Sequence, residues 1–145
     1  MRERRHEVDV LAIAPIIVGA ARLGSQLAVD QKLDRLDSVD LARRGTLGGD
    51  PAVQAFVRDY VRHSDIGALL LTESHGLSVV ATGKATGVDH RREAWWQVAT
   101  RDGAFEGDAR YDSAAASVEY AVAVRAAGAA RPVGVLHASL TLEKL

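Results

Sequence analysis

The two tryptophans of the chain stand side by side, as Trp95 and Trp96, in the segment Glu-Ala-Trp-Trp-Gln-Val-Ala. Adjacent residues of a helix point about 100° apart, so the two indoles cannot share one face. One indole can enter the core while the other grips a small ligand at the mouth of a pocket. The spacing alone also fits two core residues, or one core residue and one half-exposed residue.

Polar side chains elsewhere in the sequence could complete a site for a small carboxylate. His137 and Ser139 alternate on one face of an expected strand, about 7 Å apart, and could form charge-assisted hydrogen bonds. A basic cluster precedes the tryptophans, and Arg91 or Arg92 could supply a cation. Tyr120 suits the core as well as the lining. The alternatives are a His137 that faces solvent near the sheet end and a basic cluster that is only a solvated loop.

Several classes of chemistry are excluded by what the sequence lacks. The absence of cysteine excludes disulfides, thiol catalysis and zinc–thiolate sites. The five histidines show no metal-ligand spacing, and no nucleophile motif or phosphate-binding glycine loop occurs. A net charge of −1 gives no electrostatic reason to expect a nucleic-acid partner. The sequence therefore predicts a protein that is not an enzyme and needs no metal or cofactor.

The first third of the chain is expected to be helical. Residues 3 to about 44 carry an apolar stripe at spacings of three and four, and Pro15 should bend or interrupt this long helix. Asp50-Pro51 is a typical helix start and predicts a second helix over 50–64. The apolar segment 8–21 contains Asp9 and Pro15 and is too short to span a bilayer.

The remaining two thirds predict an antiparallel sheet. Short apolar runs at 68–72 and 77–82 predict two strands joined by a turn, and the tryptophan segment predicts a helix of about ten residues that ends at Asp102-Gly103. Further strands are expected within 104–116, over 117–125 and over 132–141. The fold class is therefore α+β, with one sheet face packed on the long helix. In the last strand an apolar set faces that helix, and His137 and Ser139 lie on the other side.

The order of these motifs resembles the Cache domain, a PAS-like extracytoplasmic sensor of bacterial chemoreceptors and sensor kinases. The resemblance covers about 66–145 and rests on the Leu-rich strand, the Val-Val-Ala-Thr strand, Glu-x-Trp-Trp-Gln-x-Ala, Tyr111-Asp112-Ser113 and the closing Val-Gly-Val-Leu strand. It implies one domain over 1–145, composed of the long helix (1–45), the second helix (50–64) and the sheet with its pocket (66–145). The pocket is expected on the sheet face opposite the long helix, roofed by residues 83–112.

The resemblance also assigns roles and a location. It places the Tyr111 hydroxyl in the pocket, although Tyr111 could instead pack on the sheet beside a turn capped by Asp112. It implies a periplasmic domain, trimmed from an inner-membrane receptor that tethers it at both ends, and a possible homodimer formed through the long helix.

The expected ligand class follows from a departure from the family pattern. Members that bind amino acids have an arginine two residues before the first aromatic residue, and an aspartate on the final strand. Here Glu93 and Ser139 stand at those positions. The resemblance therefore implies a sensor for a small carboxylate such as acetate, propionate or pyruvate, held by His137, Ser139, Tyr111 and the tryptophans. The alternative is a cytoplasmic, ligand-free dimerisation module of PAS-like or roadblock-like type.

Overall fold

The computed structural model describes residues 2–44, 47, 50–82, 87–111 and 116–141. Along these residues the helices are α1 (Arg2–Ala12), α2 (Pro15–Asp30), a short 3-10 helix (Leu33–Arg35), α3 (Ser38–Arg44), α4 (Pro51–Arg62) and α5 (Ala94–Asp102). The strands are β1 (Ile66–Glu73), β2 (Ser78–Ala81), β3 (Ala104–Tyr111), β4 (Ala116–Val124) and β5 (Gly134–Thr141).

The strands form one five-stranded sheet in the order β2-β1-β5-β4-β3. Every neighbouring pair is antiparallel, and the last strand of the chain lies at the centre of the sheet. Helix α5 follows β2 and carries the chain across the sheet to β3 on the far edge. The predicted α+β class with an antiparallel, PAS-like sheet is confirmed.

The prediction of one long helix over 1–45 is corrected, because this segment contains three α-helices and a 3-10 helix. Proline lacks the N–H of a helix interior and forces the preceding residue out of the α region. Ala14 accordingly has an extended backbone (φ −65°, ψ 134°), and Pro15 starts α2. The axes of α1 and α2 differ by 58°. Lys32, with a left-handed φ of 57°, separates α2 from the 3-10 helix.

The helix face of the sheet, defined as the face that contacts α1, α2 and α4, holds the main core. Leu136, Ala138 and Leu140 of β5 lie in one buried cluster with α1 and α2 residues. Gly134 is required at the start of this strand, because a Cβ there would lie 2.2 Å from the Thr72 carbonyl oxygen and 3.1 Å from Ala21 Cβ. The apolar set of the last strand thus faces the helices, as the sequence predicts.

The second helix begins as its sequence predicts. The Asp50 carboxylate accepts a hydrogen bond from the Ala52 backbone N–H at 2.9 Å, and Pro51 occupies the first helical position. Val53 and Val57 are buried against the core. Helix α4 therefore completes the helical layer beside β1 and β2.

Among the described residues, no single helix has both the length and the apolar character needed to cross a bilayer. Helices α1 and α2 meet those criteria only when taken together, as a pair broken by their bend.

Candidate ligand-binding site

Helix α5 covers the opposite side of the sheet, which we call the α5 face. The local sequence explains where α5 begins and where it ends. Glu93 has the extended backbone typical of a helix N-cap, and Gly103 closes the helix with a left-handed φ of 99° that glycine tolerates. Trp95 and Ala99 lie one turn apart on the buried side of α5, in a cluster with Leu70, Ala121 and Val135.

The Trp95 indole packs against the imidazole of His137, with ring centroids 4.5 Å apart and planes tilted by 38°. Trp95 is only 5% exposed. His137 Nε2 lies 2.9 Å from a carboxylate oxygen of Glu119, and the other oxygen of Glu119 lies 3.7 Å from the Arg110 guanidinium. An indole, an imidazole, a carboxylate and a guanidinium therefore follow one another along the α5 face.

Burial lowers the pKa of His137 below its ordinary value of 6.5, and the hydrogen bond to Glu119 offsets this effect only in part. His137 is therefore mainly neutral at pH 7. In the tautomer whose Nε2–H donates to Glu119, Nδ1 is an acceptor. A ligand that contacts His137 meets a hydrogen-bonding group rather than a fixed positive charge.

A second group of polar side chains fixes the other edge of Trp95. The indole N–H donates to the Glu93 carboxylate, whose other oxygen lies 2.7 Å from His90 Nδ1. His90 is buried, and its Nε2 lies 2.9 Å from Ser78 Oγ on β2. These contacts join β2 to the start of α5 and hold the Trp95 ring against the sheet.

Trp96 points to a different part of the molecule, as its spacing from Trp95 requires. It is half-buried and lines a cavity of about 850 Å³ at the end of the sheet where β1 turns into β2. Its indole Nε1 is buried without a hydrogen-bond partner among the described residues. The two tryptophans therefore do not form a joint wall of one pocket.

Ser139 lies on the same face as His137, half-buried and two residues further along β5. The strand register places Glu119 of β4 directly opposite Ser139, and Ala121 opposite His137. Directly opposed residues of an antiparallel pair point to the same side of the sheet. His137, Ser139 and Glu119 are therefore brought together.

The arginines that precede the tryptophans, Arg91 and Arg92, are not directed toward His137, Ser139 and Glu119. The Arg91 guanidinium donates to Asp89 at 2.8 Å and to the Leu36 carbonyl at 2.9 Å, which ties the loop before α5 to the helical layer. The hydrogen bond from Arg91 to the carboxylate of Asp89 holds the pKa of Asp89 well below its usual range. Arg92 is exposed. The expectation that Arg91 supplies a cation for a carboxylate ligand is corrected, because its guanidinium is already paired.

Both tyrosines assigned to the pocket lie elsewhere. Tyr111, at the end of β3, is 78% exposed and lines neither cavity delineated in the described part of the chain. Tyr120 is buried on the helix face, where its hydroxyl donates to Asp9 of α1 at 2.6 Å, and burial raises its pKa. Strand alternation explains this placement, because Glu119 and Ala121 occupy the α5 face. Asp112, the alternative turn cap, and residues 83–86 of the expected roof lie outside the described residues.

Glu119 and Arg110 are the site residues that the sequence alone did not reveal. Alternation within 117–125 could have placed Glu119 on one face with Ala121, but only the register with β5 sets it opposite Ser139. Within the described residues no group of three or more His, Asp or Glu side chains could hold a metal ion. The arrangement places hydrogen-bond donors and acceptors beside an aromatic ring, which is a combination common in sites for small polar molecules.

Neither the cavity beside Trp96 nor a cavity on the helix face is lined by Trp95 or His137. The 850 Å³ cavity reaches Trp96, as noted above, and a second cavity of about 270 Å³ lies on the helix face between α2, α4 and β2. On the α5 face the Trp95 and His137 rings pack against each other.

No family model and no characterised protein sequence matches the chain. Its fold is similar to that of the ligand-binding domain of the Pseudomonas aeruginosa PAO1 amino acid chemoreceptor PctC in complex with GABA, with a TM-score of 0.50 and 20% identity, over 97% of this chain and 60% of that one. The ligand-binding domain of the Campylobacter jejuni chemoreceptor Tlp3 in complex with 4-methylisoleucine gives a TM-score of 0.48 and 13% identity, over 88% and 61%.

The chain thus spans about 60% of the length of the chemoreceptor domains to which it is similar. Those domains have the Cache, PAS-like fold. The same fold is present here, with its helical layer on one side of the sheet and α5 on the other.

Proposed function

We propose that this chain is a ligand-binding sensor module of a bacterial transmembrane receptor, a chemoreceptor or a sensor kinase, that acts without catalysing a reaction. The observation that carries the proposal is the group formed by Trp95, His137, Ser139 and Glu119 on the α5 face. It is a half-buried set of hydrogen-bonding side chains beside an aromatic ring, on the side of a PAS-like sheet away from the helical layer.

The proposal places the ligand beside the Trp95–His137 pair, toward Ser139. A flat indole there offers apolar contact, and the imidazole and hydroxyl orient a polar head group. Small-molecule sites typically combine an apolar wall with a few directed polar groups. In the full receptor the module would lie outside the cytoplasmic membrane, as extracytoplasmic sensor domains do.

A small carboxylate such as acetate, propionate or pyruvate is the first ligand class of this proposal. Ser139 can donate a hydrogen bond, and His137 gains a positive charge when it takes up a proton. Because its pKa is lowered by burial, that proton must be taken up together with the anion. The proposed binding of a carboxylate is therefore stronger at pH 6 than at pH 8.

A ligand that carries an ammonium group is the second class, and the position of Glu119 favours it. The resemblance counted against amino-acid ligands because Glu93 stands where an arginine is expected and Ser139 where an aspartate is expected. Glu119 lies directly opposite Ser139 on the neighbouring strand and supplies a carboxylate at nearly the same place. Glu93 adds a second carboxylate near Trp95. Amines and zwitterions such as GABA belong in the same test.

The function can be tested by thermal unfolding with acetate, propionate, pyruvate, GABA and a simple amine. A ligand at 100 times its dissociation constant adds about 2.7 kcal/mol of stability. For a chain of 145 residues this is a rise in Tm of roughly 9 °C. His137→Gln and Ser139→Ala should reduce the shift.

Tyr120→Phe is the matched control, because Tyr120 lies on the opposite side of the sheet. It should lower the Tm of the free protein and leave the ligand-induced shift unchanged. The proposal fails if none of these compounds raises the Tm, or if His137→Gln responds to the ligand as the wild type does.

One observation favours the ligand-free dimerisation module as a second candidate. The side chains of Trp95 and His137 already fill the centre of the α5 face, while Val10 of α1, Ile13 in the bend between α1 and α2, and Leu23 of α2 are at least half exposed. For such a module, sedimentation velocity should show a concentration-dependent dimer that Ile13→Asp disrupts. None of the ligands in the panel should then raise the Tm.

A further inference from the structure

The 850 Å³ cavity at the end of the sheet has a lining that differs from the α5 face. It lies between α2, the turn that joins β1 to β2, the outer side of α5 and the segment that leads into β5. Its lining residues are Arg22, Ser25, Gln26, Val29, Ser74, His75, Trp96, Thr100, Arg131, Pro132 and Val133.

The charged side chains in the described lining of this cavity are two arginines. Arg22 and Arg131 contribute guanidinium groups, and none of the described lining residues is an aspartate or a glutamate. Along the described residues neither arginine forms an ion pair or a hydrogen bond, whereas Arg91 and Arg101 are both paired with aspartates. Two carboxylates adjoin the lining, and both already accept hydrogen bonds. Asp30 accepts one from the Gln26 amide at 2.8 Å, and the fully buried Glu73 accepts from the backbone N–H and the ring of His75.

Two buried polar atoms beside the cavity lack partners. Trp96 Nε1 and Thr100 Oγ1 have no hydrogen bond within the described part of the chain. The two residues are four apart on α5 and therefore lie on one side of the helix, the side that lines the cavity. A buried donor without an acceptor costs free energy that an incoming acceptor oxygen can recover.

The lining also offers an apolar surface. The Trp96 indole, Pro132, Val133 and Val29 stand alongside the polar groups. An aromatic or branched apolar body could pack on the indole while its anionic group faces the two guanidinium groups. The cavity lies apart from Trp95 and His137, which point into the α5 face.

We propose that this cavity is a second ligand site, which binds an organic anion with an apolar body, such as an aromatic carboxylate. Arg22 and Arg131 bind the anionic group, Trp96 packs on the apolar body, and Thr100 and the indole N–H donate once the ligand is seated. Because Arg22 belongs to α2 and Trp96 to α5, the bound anion joins the helical layer to the helix that covers the other face.

The test uses sodium benzoate as the probe and benzamide as its neutral counterpart, titrated into the chain in chloride buffer by isothermal titration calorimetry. Benzoate should bind saturably, and benzamide at least tenfold more weakly, since it lacks the charge that guanidinium groups recognise. Arg22→Gln and Arg131→Gln should each weaken benzoate binding by roughly tenfold.

Arg101→Gln is the matched control, because Arg101 lies on α5 but is paired with Asp102 and does not line the cavity. Its affinity for benzoate should equal that of the wild type. Thr100→Val gives an independent check, since it removes an unpaired hydroxyl with little change of shape. It should raise the Tm of the free protein and weaken benzoate binding.

Four results would overturn the proposal. These are an absence of benzoate binding at millimolar concentration, equal affinities for benzoate and benzamide, wild-type affinity in both Arg22→Gln and Arg131→Gln, and a lowered Tm in Thr100→Val. Loss of benzoate binding in His137→Gln would assign the probe to the α5 face and would also refute a separate site.

Discussion

Two glycines of α2 provide a quantitative test of how the helical layer meets the sheet. Gly19 and Gly24 lie five residues apart in the same helix, and each can be replaced by alanine. A Cβ at Gly19 meets no atom within 4 Å. A Cβ at Gly24 would lie 2.6 Å from Val79 Cγ2 and 3.2 Å from Glu73 Cβ.

The two substitutions are expected to change the stability of the protein in opposite directions. Alanine in place of glycine in a helix interior stabilises by about 1 kcal/mol, so Gly19→Ala should raise the Tm by roughly 3 °C in a chain of 145 residues. At Gly24 the same gain is opposed by overpacking against Val79, which costs about 1–3 kcal/mol. Gly24→Ala should therefore lose about 1 kcal/mol, and the two variants should differ by roughly 6 °C.

The assay is thermal unfolding followed by circular dichroism at 222 nm, with urea unfolding of the same proteins as a second measure of the free energy. If Gly24→Ala were as stable as Gly19→Ala, α2 would not pack on β2 in the way described. If Gly19→Ala were destabilising, Gly19 would have a close neighbour that the structure does not show.

Three further predictions concern the sheet. Tyr120→Phe removes the hydrogen bond to Asp9 and should lower the free energy of unfolding by about 1 kcal/mol at pH 7, measured by urea unfolding; no loss would mean that this bond is not made. The neutral form of His137 is favoured in the folded state, so its contribution to stability is present above pH 6.5 and is lost as the pH falls through the lowered pKa. Urea midpoints between pH 7.5 and 5.5 should accordingly fall less steeply in His137→Gln than in the wild type, and equal slopes would argue against a buried neutral His137. Gly134→Ala would place a Cβ 2.2 Å from a backbone carbonyl oxygen of β1. This overlap should cost roughly 3 kcal/mol or more, so the variant should fail to fold or lose more than about 10 °C in Tm. A wild-type Tm would contradict the β1–β5 packing.

Local sequence patterns were sufficient to predict most of the helices and strands and the way they pack. Asp50-Pro51 predicts the start of α4, and alternation in the last strand predicts which of its residues face the helices. Gly103 marks the end of α5. Each of these features depends on residues that are adjacent in sequence or on a period of two. The interruption at Pro15 is confirmed, but the single long helix was wrong because the chain breaks again at Lys32, between α2 and the 3-10 helix.

The site was harder to predict because its geometry depends on strand register and on distant segments. Tyr120 and Glu119 are neighbours in sequence, but they point to opposite faces, and only pairing with β5 shows that Glu119 reaches His137. The sequence did not reveal that Arg91 pairs with Asp89, because the segment around them is basic overall. Arg22 reaches the cavity beside Trp96 from a helix more than seventy residues earlier in the chain.

The central claim is that a small ligand binds on the α5 face beside Trp95 and His137. The most direct measurement is a ¹H–¹⁵N NMR titration with the carboxylate, amine and zwitterion panel, in which the two indole N–H signals are assigned with Trp95→Phe and Trp96→Phe. We expect a binding compound to shift the Trp95 signal in a saturable way, and His137→Gln to weaken this response. A Trp95 signal that no compound moves, or saturable binding that leaves this signal unchanged, would contradict the central claim.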